Sequence, residues 1–165
     1  MSRLLFWNAK AETMSRDELS AIQLERLQWT VKHAWSNNDF YREKLKECGV
    51  EPGDVRSLDD LKRLPFLTKD DFRDQYPLKM LCVPRDTVRE MHMSSGSTGT
   101  PVVMAYTEAD LMQWAECMAR CQVMAGMQPG DALQITPTFG LFNGGFGFYH
   151  GARMAGLFVI PASSG

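Results

Sequence analysis

A chain of 165 residues, 44% of them hydrophobic, is long enough to bury a core and short enough to be read as one domain. Its 18 basic and 20 acidic residues leave a formal charge of −2, and neither sign forms a long run, which argues against a nucleic-acid partner. Cys48, Cys82, Cys117 and Cys121 contain no C-x-x-C pair, so a disulfide scaffold is not indicated and a reducing, cytoplasmic setting is expected.

Cys117 and Cys121 stand one helical turn apart, but no third ligand lies near them in sequence. They are read as buried core thiols, and no metal is assigned. Residues 4–7 form an apolar run too short for a signal-peptide core. No apolar stretch approaches the roughly 20 residues that span a bilayer. A soluble protein without a membrane partner is expected.

In chain order, Ser15 and Glu18 make a capping-box pair ahead of Leu24, Leu27, Val31, Ala34 and Trp35 at helical spacing, which predicts a helix over residues 16–36. A second helix carries Tyr41, Leu45 and Cys48 on one face and ends at Gly49. Ser57 and Thr68 each cap a short helix, and Pro65 and Pro77 end them. Beyond Pro84 the period changes. Residues 88–93 and 102–106 read as strands. Thr107 and Asp110 then cap a long helix with Leu111, Trp114, Met118, Cys121 and Ala125 on its apolar face. A strand over residues 132–136, a glycine-rich stretch, a helix over 148–155 and a strand over 157–161 follow in β-α-β order.

The expected class is therefore α/β: a mainly helical segment, 1–84, followed by the first β-α-β units, 85–165, together one lobe. Two or three strands make a poorly protected sheet, and the last is apolar throughout, so the expectation is that the sheet continues beyond residue 165. The chain is expected to self-associate, to pair with the missing remainder, or to be only marginally stable.

Between the first two strands run Ser94, Ser95, Gly96, Ser97, Thr98, Gly99, Thr100 and Pro101. Such small residues let successive backbone N–H groups converge on an anion, with hydroxyls as further donors. The G-K-[ST] ending of a Walker A loop is absent. By composition alone the segment fits a phosphate cradle or a plain hairpin connection. The second informative stretch, residues 136–150, alternates aromatic residues with glycines. Phe139, Gly140, Phe142, Asn143 and Gly144 sit between a strand end and a helix start, where open α/β sheets place ligands. Phe146 and Phe148 are read as ordinary core, and His33, His92 and His150 as structural residues; no catalytic residue is assigned.

The order of residues from Ser94 to Pro101 resembles the S-S-G-[ST]-T-G-x-P phosphate loop of adenylate-forming enzymes. Residues 64–71 (LPFLTKDD), 83–86 (VPRD), Tyr106 with Thr107, and 140–145 (GLFNGG) are similar to the corresponding stretches of phenylacetate-CoA ligases, in order and at family-like spacing. The resemblance runs from about residue 19 to residue 165. It implies the amino-terminal part of an incomplete adenylate-forming domain, whose parent joins a small aromatic carboxylate to CoA at the expense of ATP with Mg²⁺. It further implies that Ser94 to Thr100 hold the β- and γ-phosphates and that residues 139–144 line the acyl pocket.

Two departures from the family pattern stand out. Thr100 replaces a common lysine, which implies weaker ATP affinity, and Thr136, Pro137, Thr138 and Phe139 precede Gly140 where the family commonly shows Y-G-Y-G-L-F; the first aromatic is lost, so phenylacetate itself is not implied. The family's adenine-binding segment, acidic metal ligand, ribose aspartate and mobile lysine are not found before Gly165, and the chain is expected to be inactive alone. Two other readings stay open: an adenylating relative that does not use CoA, similar to coenzyme F390 synthetases, and a non-catalytic interaction module.

Overall fold

The computed structural model describes residues 3–94 and 99–163. A one-turn helix, α1 (Ala9–Glu12), precedes α2 (Arg16–Asn37), α3 (Asp39–Glu47) and, after two 3₁₀ turns, α4 (Lys69–Asp74). Strands β1 (Val88–Met93) and β2 (Val103–Thr107), helix α5 (Glu108–Met124), strand β3 (Ala132–Gln134), helix α6 (Asn143–Met154) and strand β4 (Phe158–Ile160) follow. The chain divides into two compact units, one of Met14–Asp86 and one joining Met1–Thr13 to Thr87–Gly165.

In the helical unit α2 starts where the capping pair places it. The Ser15 hydroxyl accepts from Glu18 N, and the Glu18 carboxylate accepts from Ser15 N at 2.9 Å, which satisfies two otherwise orphaned donors. The α2 stripe Leu24, Leu27, Val31 and Trp35 packs with Leu45 of α3 and with Val50, Val55 and Leu64. Val50 and Val55 are almost wholly buried, so the turn after α3 closes the core. Buried Asn38 ends α2, and its amide donates to Lys79 O at 2.8 Å and Leu81 O at 3.1 Å. Lys44 lies 2.8 Å from Asp71 and, with the Thr68 cap, holds that carboxyl well below its usual range, at about 2.

In the second unit β1 and β2 form an antiparallel hairpin, with an irregularity between Val88 and Glu90. Strands β3 and β4 pair in parallel across α6, the β-α-β arrangement the alternation predicts. The core here is Ala119, Ala152, Ala155 and Leu157, flanked by Trp7, Met127, Leu133, Met154 and Val159. Residues 4–8 run along α5. Trp7 Nε1 donates to Glu116 Oε2 at 2.6 Å, Asn8 Nδ2 donates to Glu116 Oε1 at 2.8 Å, and Leu4 N donates to Gln128 Oε1 at 2.6 Å. Burial pushes the Glu116 carboxyl up, but the bonds from Asn8, Trp7 and Arg120 more than offset this and leave it below its ordinary value.

Three expectations are corrected here. Cys117 and Cys121 are exposed, not core thiols; the buried positions of α5 are Leu111, Ala115, Ala119, Gln122 and Val123, a face rotated away from Cys121 and from Ala125, which is also exposed. Trp114 and Met118 of the expected stripe do meet α6, at Gly147 and Gly151, whereas Cys121 and Ala125 toward its C-terminal end stay exposed. Helix α6 starts at Asn143, five residues before the expected position. Its glycines read as loop punctuation, yet Gly145, Gly147 and Gly151 are buried contact points. A Cβ on Gly147 would lie 2.8 Å from the Trp114 ring, and one on Gly151 would collide with Met118 Cβ. Phe148, read as core, is 42% exposed; its backbone carbonyl accepts from Gln122 Nε2 of α5 at 3.0 Å.

On β4, Phe158 is 64% and Ile160 39% exposed. They alternate with half-buried Val159, so one face of the last strand presents apolar surface. No described helix is long and apolar enough to cross a membrane.

Candidate functional site

The loop expected to cradle phosphate leaves β1 and returns through β2. At its neck Ser94 N donates to Val102 O at 2.9 Å, and Ser94 Oγ accepts from Val102 N at 2.9 Å. This reciprocal pair pinches the loop shut at its base. Ser95, Gly96, Ser97 and Thr98 lie outside the described residues. Of the remainder, Gly99 has φ +126°, and a Cβ added there would meet no atom within 4 Å; the constraint is the backbone state, which strongly favours glycine. Thr100 is exposed.

The aromatic–glycine segment meets this loop directly. Met93 N, the residue before Ser94, donates to Leu141 O at 2.8 Å. One backbone bond thus ties the stem of the loop to the middle of the segment read as the acyl wall. Beside that bond opens a cavity of about 500 Å³ lined by Phe139, Gly140, Leu141 and Phe146 on one side and Glu90, Met91 and His92 on the other. That volume suits a small organic ligand.

Of the five residues expected in the pocket, Phe139 and Gly140 line the cavity. Phe142 does not; it precedes the first turn of α6 and is 55% exposed. Asn143 opens that helix, and its side chain hydrogen-bonds the Tyr106 hydroxyl. Burial pushes the Tyr106 hydroxyl up, and the bond from Asn143 partly counters the rise. Gly144 has room for a Cβ, with its nearest neighbours at 3.9 Å. Phe146, expected as plain core, is a cavity wall.

Several rings pack around the cavity floor. Phe146 meets Phe139 edge-on at 5.3 Å and His92 at 5.1 Å, while Tyr106 stacks on Trp114 at 5.4 Å with His92 against both. Such packed aromatic pairs hold one another in fixed orientations.

Two histidines that the sequence reading left structural come together here with Glu90, which it did not single out. Glu90 and His92 share a strand face because they are two positions apart. His92 Nε2 lies 3.1 Å from Glu90 Oε2, and His150 Nε2, from α6, lies 3.2 Å from Glu90 Oε1 and 3.3 Å from Oε2. A carboxylate can only accept, so each imidazole presents Nε2–H to it. His92 Nδ1 is buried and without a hydrogen-bond partner among the described residues. The alternation Glu90, His92 just ahead of the serine–glycine loop was the signal available in sequence; the contribution of His150, sixty residues on, was not. No group of three His, Cys, Asp or Glu residues among the described ones could hold a metal ion.

No family model matches the chain. It is 46% identical over 154 residues, 93% of its length, to the phenylacetate-coenzyme A ligases of Escherichia coli (strain K12) and Pseudomonas putida. It is 43% identical over 161 residues to that of Thermus thermophilus. The matched region is 35–36% of each relative, so the chain spans about a third of their length. Among solved structures, 2-hydroxyisobutyryl-CoA ligase in complex with 2-HIB-AMP superposes with a TM-score of 0.91 at 30% identity, covering 100% of this chain and 35% of that one. The same ligase bound to 2-HIB-AMP and CoA also superposes with a TM-score of 0.91, at 32% identity, covering 98% of this chain and 35% of that one.

Proposed function

The chain belongs to the phenylacetate-coenzyme A ligase family, and from that premise we propose that it forms the amino-terminal part of an AMP-forming ligase that joins an aromatic carboxylate to CoA. The carboxylate attacks the α-phosphate of ATP, pyrophosphate leaves, and the thiolate of CoA then attacks the acyl carbon of the adenylate and displaces AMP. The observation that carries this reading is the Met93 N–Leu141 O bond of 2.8 Å, which sets the stem of the serine–glycine loop against the Phe139–Phe146 cavity.

Within that scheme Ser94 to Thr100 hold the β- and γ-phosphates through backbone N–H groups and hydroxyls, an electrostatic assistance that acts on charge as it develops on the leaving group. Thr100 supplies a hydroxyl where a lysine would add a positive charge. Phe139 and Phe146 offer faces to a planar acyl group, and Gly140 leaves room for it. Mg²⁺ would enter with the nucleotide and would supply positive charge to its phosphates, with no ligand to it assigned among the described residues. The groups that bind adenine and ribose and complete the thioester step would come from the two thirds of the relatives' length that this chain does not span.

A full-length protein carrying this chain should form aryl-CoA thioesters in preference to long-chain ones. The cavity of about 500 Å³ is walled by Phe139 and Phe146, whose ring faces suit a planar acyl group. Thioester products from mixed benzoate, phenylacetate and palmitate, quantified by mass spectrometry, check this. Palmitoyl-CoA as the dominant product would refute it.

A further inference from the structure

An acid-activating site has reason to keep fixed negative charge away from its substrate's carboxylate, yet Glu90 lines the cavity with 28% of its side chain exposed. Its position along β1 resolves the conflict. Glu90 stands four residues before Ser94, which at about 3.3 Å per residue places it roughly 13 Å from the loop stem. A bound acid would therefore turn its carboxylate toward the loop and its tail toward Glu90.

The carboxylate of Glu90 is held but not saturated. It has about four lone-pair positions. His92 Nε2–H engages Oε2 at 3.1 Å, and His150 Nε2–H is shared between Oε1 at 3.2 Å and Oε2 at 3.3 Å. Two imidazole donors from different elements fix its orientation, and it keeps acceptor capacity beyond them. Apart from His92, the other lining groups, Met91, Phe139, Gly140, Leu141 and Phe146, offer no side-chain donor. An acyl tail that is wholly apolar would cover this carboxylate with hydrocarbon and strip it of water without replacement. A tail bearing a hydroxyl or amino group would donate to it.

Resting on the ligase reading above, we propose that Glu90 is a specificity-determining residue and that the substrate is a ring-bearing carboxylic acid with a hydrogen-bond donor, hydroxyl or amino, at the end remote from the carboxylate. His92 and His150 are positioning residues that act through Glu90. Sites built to bond a substrate hydroxyl discriminate strongly against analogues that lack it, because the protein group is then left buried and unpaired.

The test uses the full-length protein carrying this chain and compares kcat/KM for adenylate formation across 4-hydroxyphenylacetate, 4-aminophenylacetate and 4-methylphenylacetate. The methyl compound matches the other two in size but cannot donate. The expected result is at least about a tenfold preference for the hydroxyl or the amino acid over the methyl one. Glu90→Leu should bring the ratio within about twofold of unity, chiefly by accelerating the methyl compound, while Glu90→Gln, which keeps an acceptor oxygen, retains a preference.

Equal turnover of the three acids by the parent overturns the proposal while leaving the ligase reading intact, and it does so whether or not either variant folds. A preference that survives Glu90→Leu unchanged also overturns it. Failure to activate any of the three, or phenylacetate itself, overturns both readings together.

Discussion

Replacing Gly151 by alanine is expected to destabilise the α/β unit by about 2–3 kcal/mol, because a Cβ there has nowhere to go. It would overlap Met118 Cβ and stand 2.8 Å from the Met118 carbonyl carbon and 3.0 Å from Ala119 N. Two of those three atoms are backbone of α5, so no rotamer change relieves the clash and the helices must part. Separating α5 from α6 loosens the burial of Ala119 and Ala152, both wholly buried at their contact. The control is Gly144→Ala in the same helix. Its nearest neighbours stand at 3.9 Å, and alanine in a helix is favoured over glycine by up to about 1 kcal/mol. Urea midpoints measured for the parent and both variants should therefore move in opposite directions. An unchanged midpoint for Gly151→Ala would show that the tight α5–α6 approach is not what holds this unit.

The second large effect is expected at Gly99. With φ at +126°, this position holds a conformation that a β-branched residue essentially never adopts. Gly99→Val must rebuild the return path of the loop, and ATP affinity in the full-length protein should fall by at least about tenfold, read by calorimetry with a non-hydrolysable nucleotide. Ser94→Ala makes the comparison. It removes the Ser94 hydroxyl, and with it the bond in which Ser94 Oγ accepts from Val102 N, while the backbone pair Ser94 N to Val102 O remains, so a loss of about two- to fivefold is expected, in keeping with about 0.5–1 kcal/mol for one neutral hydrogen bond. Equal nucleotide affinity for Gly99→Val and the parent would remove the phosphate-loop assignment.

How far the sequence discloses this arrangement depends on the kind of signal each residue carries. Local chemistry reads well: the Ser15–Glu18 and Thr107–Asp110 capping boxes start α2 and α5 where their spacing predicts, since caps are satisfied by residues three positions apart. The hairpin of β1 and β2 and the parallel pair β3 and β4 likewise follow from the change of period after Pro84. What fails is inference about which neighbour a residue will meet. The glycines of α6 read as a loop because glycine weakens an isolated helix. Contact with Trp114 and Met118 overrides that propensity, and nothing in residues 143–151 names those partners.

The same limit explains the exposure of Cys117 and Cys121. Periodicity finds an apolar stripe on α5 whose Trp114 and Met118 do meet α6, at Gly147 and Gly151, but it extends that stripe to Cys121, which stays exposed, and passes over the buried Ala115 and Ala119. In the candidate site, Phe139 and Gly140 were legible from their place between a strand end and a helix start. Phe142 was read as pocket and Phe146 as core, whereas Phe142 is exposed and Phe146 lines the cavity. The Glu90–His150 contact, spanning sixty positions from β1 to α6, belongs to tertiary structure alone.

If the loop stemming from Ser94 and the Phe139–Phe146 cavity are two walls of one carboxylate-activating site, nucleotide chemistry at the first must depend on the acid held in the second. The most direct measurement is the exchange of labelled pyrophosphate into ATP by a full-length protein carrying this chain, with and without aryl carboxylates and in the absence of CoA. The expected result is exchange that depends on the aryl acid, saturates with it, and is abolished together with ATP binding by Gly99→Val. Exchange independent of any carboxylate, or none with any aryl acid while ATP still binds, would contradict the two-wall site.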